Sequence, residues 1–214
     1  KHKSFAAMQQ FCYNDFELNG SGGFFSLSSA ALLNNFYNIR SSVDKLSFGA
    51  YLAEAAKIAS EYLEGDNEYF RFLLNCLYFI ENAEKKAVNG DVLTELKRIK
   101  GIFELKTVSD AGFAPSLDMC AHCGAKTGLE YFDVSAGGAV CKNCSGDGSV
   151  RIYPKLSGFM KFILAKDMKT VFNTSNIDKA LIEDLNYITE KYFQFRLEYY
   201  FKSLDYLNKV IENM

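Results

Sequence analysis

The stretch that decides the fold is DMCAHCGAKTGLEYFDVSAGGAVCKNC, residues 118–144. It contains two C-x-x-C motifs, Cys120–Cys123 and Cys141–Cys144, with 17 residues between them. Zinc favours four soft ligands in a tetrahedron, and each C-x-x-C turn presents two sulfurs on one side of a tight loop. Glycines after the first motif and before the second predict a hairpin between them. Because four thiolates leave no open coordination position, the sequence predicts one zinc ion with a structural role.

A disulfide pair or a thioredoxin-like redox site is the alternative interpretation of these cysteines. Neither motif lies between a predicted strand and a predicted helix of a βαβ unit, which favours the metal. His122 lies inside the first motif, and we expect it on the surface because four thiolates already complete the shell. Cys12 and Cys76 lie in apolar stretches, which predicts buried thiols outside the metal site.

Composition excludes several classes of protein. The chain has 214 residues, 49% of them apolar, and its 24 Lys and Arg against 26 Asp and Glu give a net charge of −2. This balance removes the simplest argument for nucleic-acid binding, a globally basic chain. No apolar run approaches the roughly 20 residues that span a bilayer, so we expect neither a membrane nor a secreted protein. With two prolines and many aromatic residues, the chain is expected to be mainly α-helical.

Hydrophobic periodicity and capping residues predict the order of the elements. Strand-like alternation predicts a β-hairpin from Gln10–Leu18 and Phe24–Leu27. The predicted helices start at Ser28 or Ser29 (through Ile39), at Ser42 (to a stop at Gly65), after Asn67, at Asp91 (to Gly112 and Pro115), at Ser157 (to Met168), and at Asn176 or Asp178 (a long last helix through Phe201).

This order predicts a mainly α fold: a helical domain with an inserted four-cysteine zinc-binding module, preceded by part of a small β domain. The expected boundaries are 1–27 for the β part, 28–117 for the helical domain, 118–153 for the zinc module and 154–214 for closing helices that return to the helical domain. The first residues already have the pattern of a domain interior, so we expect a natural N-terminal segment to be absent.

Five segments, in matching order, resemble the bacterial RecO recombination mediators. They are KHKSFAAMQQF, SLSSAALLNNFYNIRSSVDKLSFGAYLAE, IFELKTVSDAGFAPSLDMCAHCG, GGAVCKNC and RLEYYFKSLDYL. The resemblance implies an N-terminal OB-fold β-barrel, of which the first strands are absent here, and a cytoplasmic, nucleoid-associated bacterial protein. It also implies binding of single- and double-stranded DNA, strand annealing, association with RecR and single-strand-binding protein, and help in loading RecA.

The resemblance directs attention to particular basic and aromatic side chains. An OB-fold holds single strands with cations and with aromatic faces on which bases stack. The candidate DNA contacts are Lys1, Lys3, Arg40, Lys45, Arg151 and Lys155; further candidates are His2, Phe11, Tyr13, Phe24, Lys126 and Lys142. The candidates for docking the acidic tail of single-strand-binding protein are Lys97, Arg98, Lys100 and Lys106. Core packing of the aromatic residues and solvated surface charge remain alternatives for all of them.

No catalytic constellation is evident in the sequence, so we expect no enzyme. Three hypotheses remain: a DNA-binding mediator with a structural zinc module, a zinc-ribbon scaffold without DNA affinity of its own, and a thiol redox protein. Salt-dependent binding to an oligonucleotide distinguishes the first two. Thiol labelling with and without zinc tests the third.

Overall fold

The computed structural model describes residues 8–63, 67–175 and 177–213. Most of them are helical, as the composition predicts, and small sheets lie before and between the helices. The strands are β1 (Tyr13–Ser21), β2 (Phe24–Asn34), β3 (Leu129–Asp133), β4 (Gly138–Cys141) and β5 (Val150–Arg151). The helices are α1 (Val43–Ala59), α2 (Asn67–Glu81), α3 (Val92–Val108), α4 (Pro154–Ala165), α5 (Met168–Asn173), α6 (Lys179–Leu197) and α7 (Lys202–Glu212). No helix in this part of the chain is long and apolar enough to cross a bilayer.

Strands β1 and β2 form the predicted hairpin, but it is longer than expected. They pair antiparallel from Tyr13 opposite Asn34 to Ser21 opposite Phe24. The helix expected from Ser28 or Ser29 is therefore wrong, because residues 28–34 continue the second strand. The Ala and Leu residues of that segment favour a helix locally, and cross-strand pairing with β1 overrides the preference. The predicted boundary at residue 27 falls inside β2.

The helical body is built around α3, which packs against α1, α2, α4 and α6. Three of its helices begin where the sequence predicts. The side chains of Ser42, Asp91 and Asp178 each accept a hydrogen bond from a backbone N–H of the first turn. The core between them is aliphatic and aromatic, and Tyr51 and Phe193 meet edge to face in it with ring centroids 6.4 Å apart.

A buried polar cluster joins α1, α3 and α6. Glu104 is fully buried and accepts hydrogen bonds from the hydroxyls of Tyr51 and Thr189, each at 2.7 Å. Lys100 Nζ lies 2.8 Å from Glu104 and 2.9 Å from Glu190. Burial raises the pKa of the Glu104 carboxyl. Burial also opposes the charge on Lys100, but the two carboxylates outweigh it and raise the pKa of that ammonium. Each charge is thus compensated by partners on the same helix or on neighbouring helices.

The last predicted helix ends before Phe201, and a separate helix follows it. Helix α6 ends at Leu197, where Glu198 adopts a left-handed conformation with φ 48°, and α7 begins at Lys202. Glu54 of α1 accepts hydrogen bonds from the backbone N–H and the hydroxyl of Ser203, and so holds the first turn of α7 against α1. The helix expected from Ser157 to Met168 is also divided: α4 begins at Pro154, and Met168 opens α5.

Candidate metal centre and nucleic-acid interface

The two C-x-x-C motifs lie at one end of a small antiparallel sheet ordered β4-β3-β5. The first motif forms a tight turn in which Gly124 N–H donates to Cys120 O at 2.9 Å and Cys120 N–H donates to Ala125 O at 2.7 Å. Gly124 has φ 75°, which a glycine adopts without strain. The second motif begins on the last residue of β4, Cys141, which pairs with Leu129 of β3. The predicted hairpin between the motifs is confirmed.

The four sulfurs meet in one cluster. The Sγ atoms of Cys120, Cys123, Cys141 and Cys144 all lie within 4.8 Å of one another. Cys123 Sγ and Cys141 Sγ are 3.8 Å apart. That separation is far longer than the roughly 2.05 Å of a disulfide bond. It agrees with the roughly 3.8 Å between the corners of a tetrahedron with Zn–S bonds of about 2.3 Å. The donor set therefore fits a tetrahedral metal ion.

Local electrostatics distinguish the sulfurs from one another. The backbone N–H groups of Cys123 and Cys141 face the Cys120 sulfur and lower the pKa of its thiol to about 6. Hydrogen bonds with the sulfurs of Cys141 and Cys123 raise the pKa of Cys144 to about 12. The Cys120 thiolate thus forms readily, whereas Cys144 holds its proton more tightly. Metal binding requires the thiolate form of each cysteine, so a bound cation would displace such a proton.

His122 is exposed and lies near Asp133, and it is not part of the sulfur cluster. Its Nε2 atom lies 3.6 Å from Asp133 Oδ2. Asp133 also accepts hydrogen bonds from the N–H groups of Ser135 and Ala136, each at 2.9 Å, and so shapes the turn between β3 and β4. Burial alone would raise the pKa of this carboxyl, but these hydrogen bonds lower it below its ordinary value. His122 therefore contacts the hairpin turn.

Residues 118–153, the metal module, are held against the helical body on two sides. Ser116 runs beside β4: its N–H donates to Gly137 O at 3.0 Å, and its carbonyl accepts from Ala139 N–H at 2.7 Å. On the other side Phe132 meets Tyr192 of α6 edge to face, with centroids 5.3 Å apart. Two side chains of α6 also bond to backbone carbonyls: Arg196 Nη2 donates to Ser135 O at 3.2 Å, and the Tyr192 hydroxyl donates to Phe113 O at 2.9 Å.

The sequence motifs do not reveal this docking surface. Arg196 also lies over the Tyr192 ring, 5.0 Å from its centroid. A Cβ atom at Gly137 would lie 2.3 Å from Arg196 Nη2, and one at Gly138 would lie 2.3 Å from Ser116 O. The sequence predicts only a turn at this Gly-Gly pair, whereas the structure shows that it also permits two close approaches.

The candidate DNA contacts fall into separate places. Lys1, His2 and Lys3 lie outside the described residues. Arg40 is half-buried and its Nη1 donates to Gln9 Oε1 at 2.7 Å, so it holds the chain before β1. Arg151 is exposed on β5, and Lys155 is exposed at the start of α4, 3.6 Å from Asp178. Lys126 and Lys142 are exposed on the metal module. The exposed cations among these candidates thus concentrate on and beside the module.

Lys45 is the prediction that the geometry contradicts most directly. Only 3% of the residue is exposed, and its Nζ donates to Glu81 O at 2.8 Å and pairs with Glu84 at 2.6 Å. Its charge is used between α1 and the end of α2, so it does not present an ammonium to a phosphate. Phe11 and Tyr13 are half-buried against the helical body, whereas Phe24 at the hairpin tip is 84% exposed.

The four cations proposed for tail docking do not form one surface. Arg98 and Lys100 are buried, at 4% and 2% exposure, and both are ion-paired. Lys97 Nζ donates to both carboxylate oxygens of Glu183 at 2.7 Å. Lys106 makes a long hydrogen bond of 3.5 Å to Leu164 O. Arg98 and Lys100 therefore form ion pairs and hydrogen bonds inside the protein, with partners on α3 itself and on α5 and α6.

Comparison with known proteins agrees with the resemblance noted in the sequence. A family model described as "Recombination protein O C terminal" matches residues 40–205. DNA repair protein RecO of Alkaliphilus metalliredigens is 29% identical over 209 residues, which are 96% of this chain and 81% of the relative. The RecO of Clostridium novyi is 26% identical, covering 91% of this chain and 70% of the relative. The RecO of Clostridium kluyveri is also 26% identical, covering 97% and 77%. Because the family model covers most of the helical body and all four clustered cysteines, this chain belongs to the RecO family.

Proposed function

We propose that this protein acts in DNA repair and homologous recombination as a non-enzymatic mediator that binds single- and double-stranded DNA. The match of residues 40–205 to the RecO family model carries this proposal. The relatives are named DNA repair proteins and match over most of their length. On this proposal the protein anneals complementary strands and, with RecR, helps RecA replace single-strand-binding protein.

Zinc is the metal we propose for the cysteine cluster. Four sulfurs within 4.8 Å of one another suit it, and a shell of four cysteines is closed to water and substrate. When bound, zinc supplies structural cross-linking of the two C-x-x-C turns. Metal analysis of the purified, reduced chain tests this, with about one zinc per chain expected. A metal-free, folded module contradicts it.

The proposed DNA surface is centred on Arg151 and Lys155, with Lys126 and Lys142 on the metal module. All four are exposed, and their charges are not buried in the helical body. The β1–β2 hairpin has no cation to contact phosphates, since the sequence has no Lys or Arg between Lys3 and Arg40. Its exposed Phe24 remains available for base stacking.

A salt titration of binding to a fluorescent single-stranded oligonucleotide tests the proposal. Phosphate contacts make log affinity fall linearly with log salt, by about 0.7 per contact on single strands. The variant Arg151→Ala/Lys155→Ala is expected to weaken binding at low salt and to reduce the slope by about one to two contacts. The control is Lys57→Ala, an exposed cation on α1.

The alternative is a scaffold whose zinc ribbon binds another protein and which has no DNA affinity. The acidic balance of the chain, pI about 5.8, favours it. Binding to RecR without any salt-sensitive binding to oligonucleotide would favour the scaffold.

For docking the acidic tail of single-strand-binding protein, Lys106 is the cation of α3 that we retain, because its hydrogen bond to Leu164 O is long, at 3.5 Å.

A further inference from the structure

We propose that a polar cavity beside the start of α3 binds a phosphate monoester. The cavity has a volume of about 350 Å³ and lies between the first turns of α3, the residues just before α3, residues 173–175 and 177, and the start of α6. Its polar lining includes Lys86, Asp91, Glu95, Arg98, Asn173 and Lys179. It is distinct from the metal centre and from the exposed cations on the metal module.

Arg98 forms a buried, rigid part of the cavity wall. Its Nε and Nη2 atoms donate to the two carboxylate oxygens of Glu95 at 2.8 and 2.7 Å. Its Nη1 donates to Val171 O at 3.3 Å, and Nη2 also donates to Phe172 O at 3.2 Å. A guanidinium has five N–H groups. The second N–H of Nη1 therefore has no acceptor among the described residues, although only 4% of the residue is exposed.

The charges of the lining leave an excess of one cation. Glu95 neutralises Arg98, and Asp91 Oδ2 neutralises Lys179 at 2.8 Å. Lys86 has only a neutral partner among the described residues, Asn173 Oδ1 at 2.9 Å. Each ammonium has three N–H donors and uses one here, so two remain on Lys86 and two on Lys179. The cavity thus presents several unused donors and a net positive charge.

The remaining lining favours a phosphate ester over a simple carboxylate. Asn89 and Ser175 add neutral polar groups, and Val88, Ile177 and Ile182 add an apolar wall. A phosphate monoester has three strong acceptor oxygens, which suits donors arriving from several directions. The volume lies in the range of small-molecule sites, so it has room for a sugar beside the phosphate. A free mononucleotide and the phosphorylated end of a DNA strand share this chemistry.

Calorimetry on the full, metal-loaded chain separates the two sources. Thymidine 5′-monophosphate is titrated against thymidine, which lacks only the phosphate. A 5′-phosphorylated oligothymidylate is compared with the same oligonucleotide bearing a 5′-hydroxyl. We expect the monophosphate to bind and thymidine not to bind. The comparison of the two oligonucleotides rests on the proposed DNA binding. If strand ends are the ligand, we expect the 5′-phosphate to strengthen oligonucleotide binding.

Adjacent lysines provide matched variants. Lys86→Ala is expected to weaken monophosphate binding by about tenfold, the loss of one charge-assisted hydrogen bond. Lys85→Ala removes the same charge one residue away, from a side chain that bonds Asn82 and does not line the cavity, and is expected to stay within about twofold. Neither lysine is buried, so both variants should fold.

Several results would overturn the assignment. They are no heat from the monophosphate at millimolar concentration, equal binding of thymidine, equal competition by acetate and inorganic phosphate, or equal losses in the two lysine variants. If the chain binds the monophosphate but does not bind 5′-hydroxyl oligonucleotides, the phosphate site is supported and the proposed DNA binding is rejected. If the chain binds oligonucleotides in a salt-sensitive way but does not bind the monophosphate, the DNA binding is supported and the phosphate site is rejected.

Discussion

The helical body and the metal module are stabilised by different means. The body buries aliphatic and aromatic side chains from several helices and adds the buried Lys100–Glu104 pair. The module has three short strands, and Phe132 is its large fully buried side chain. Residues 118–153 number 36, and domains below about 40 residues usually need a metal, disulfides or a partner in order to fold. Packing therefore holds the body, whereas the module depends on its sulfurs and on its contacts with α6.

The largest expected effect comes from removing a metal ligand. Cys123→Ser leaves three sulfurs, and because its side chain is exposed the change creates no cavity. We expect zinc content to fall from about one per chain towards zero, with loss of up to about 10 kcal/mol of metal-coupled folding in the module. Metal analysis and hydrogen exchange of residues 118–153 measure both.

Cys76→Ala is the matched control, since Cys76 is buried in the helical body and burial raises the pKa of its thiol well above the ordinary value. It should retain zinc and lose only modest stability. If Cys123→Ser unfolds the helical body as well, the two regions are a single cooperative unit and the contrast between them fails.

Removing the buried carboxylate tests the opposite region. Glu104→Ala leaves Lys100 with one carboxylate, Glu190, and the Asn186 amide oxygen among the described residues, and removes the acceptor of the Tyr51 and Thr189 hydroxyls. Breaking a buried charge pair by removing one partner costs about 3–5 kcal/mol. Urea denaturation should show this loss while zinc content is unchanged.

Lys97→Ala is the comparison for that experiment, because its partner Glu183 is 42% exposed. A pair open to solvent contributes about 0–1 kcal/mol. Equal losses in Glu104→Ala and Lys97→Ala would mean that the buried cluster contributes no more than a surface pair.

The contact between the two regions should be sensitive to one methyl group. In Gly138→Ala the new Cβ would lie 2.3 Å from Ser116 O, so the strand or the linker must shift. Overpacking of this kind costs about 1–3 kcal/mol. Gly146→Ala, in the same module with open space around it, should change the melting temperature little. A lowered zinc affinity in Gly138→Ala alone would link docking to metal binding.

The elements that the sequence predicts well are those decided by local chemistry. Two C-x-x-C motifs predict the sulfur cluster, and the caps at Ser42 and Asp91 predict the starts of α1 and α3. The errors have distant causes. Residues 28–34 form a strand because β1 pairs with them. Helix α6 ends at Leu197 because Glu198 is left-handed, and no nearby glycine or proline predicts that end.

The same limit applies to the candidate site residues. The resemblance offers Lys45 as a candidate DNA contact and Arg98 and Lys100 as candidates for docking the tail of single-strand-binding protein, roles that need exposed charges. Their acceptors include Glu84 and Glu190, which are 39 and 90 residues away in sequence from Lys45 and Lys100. Helical spacing alone suggests Glu95 for Arg98 and Glu104 for Lys100. Only the packing of the helices reveals the distant partners and the burial of these charges.

The smallest expected effect concerns Asp91, which connects the N-terminus of α3 to Lys179. The hydrogen bond from Lys179, with that from Thr94 N–H, lowers the pKa of Asp91 to about 2 from its ordinary 3.8. A lowered folded-state pKa contributes stability above about pH 4 that is lost as the pH falls towards about 2. Since the pair is open to solvent, its contribution to stability is only about 0.5–1 kcal/mol.

Asn also caps helices well, so Asp91→Asn removes the charge and keeps the cap. Urea denaturation should show the wild type more stable at about pH 6 and the difference shrinking at about pH 3. A difference that does not change with pH would mean that the effect does not come from the charge of Asp91, and the ion pair at the edge of the cavity would then contribute nothing to stability.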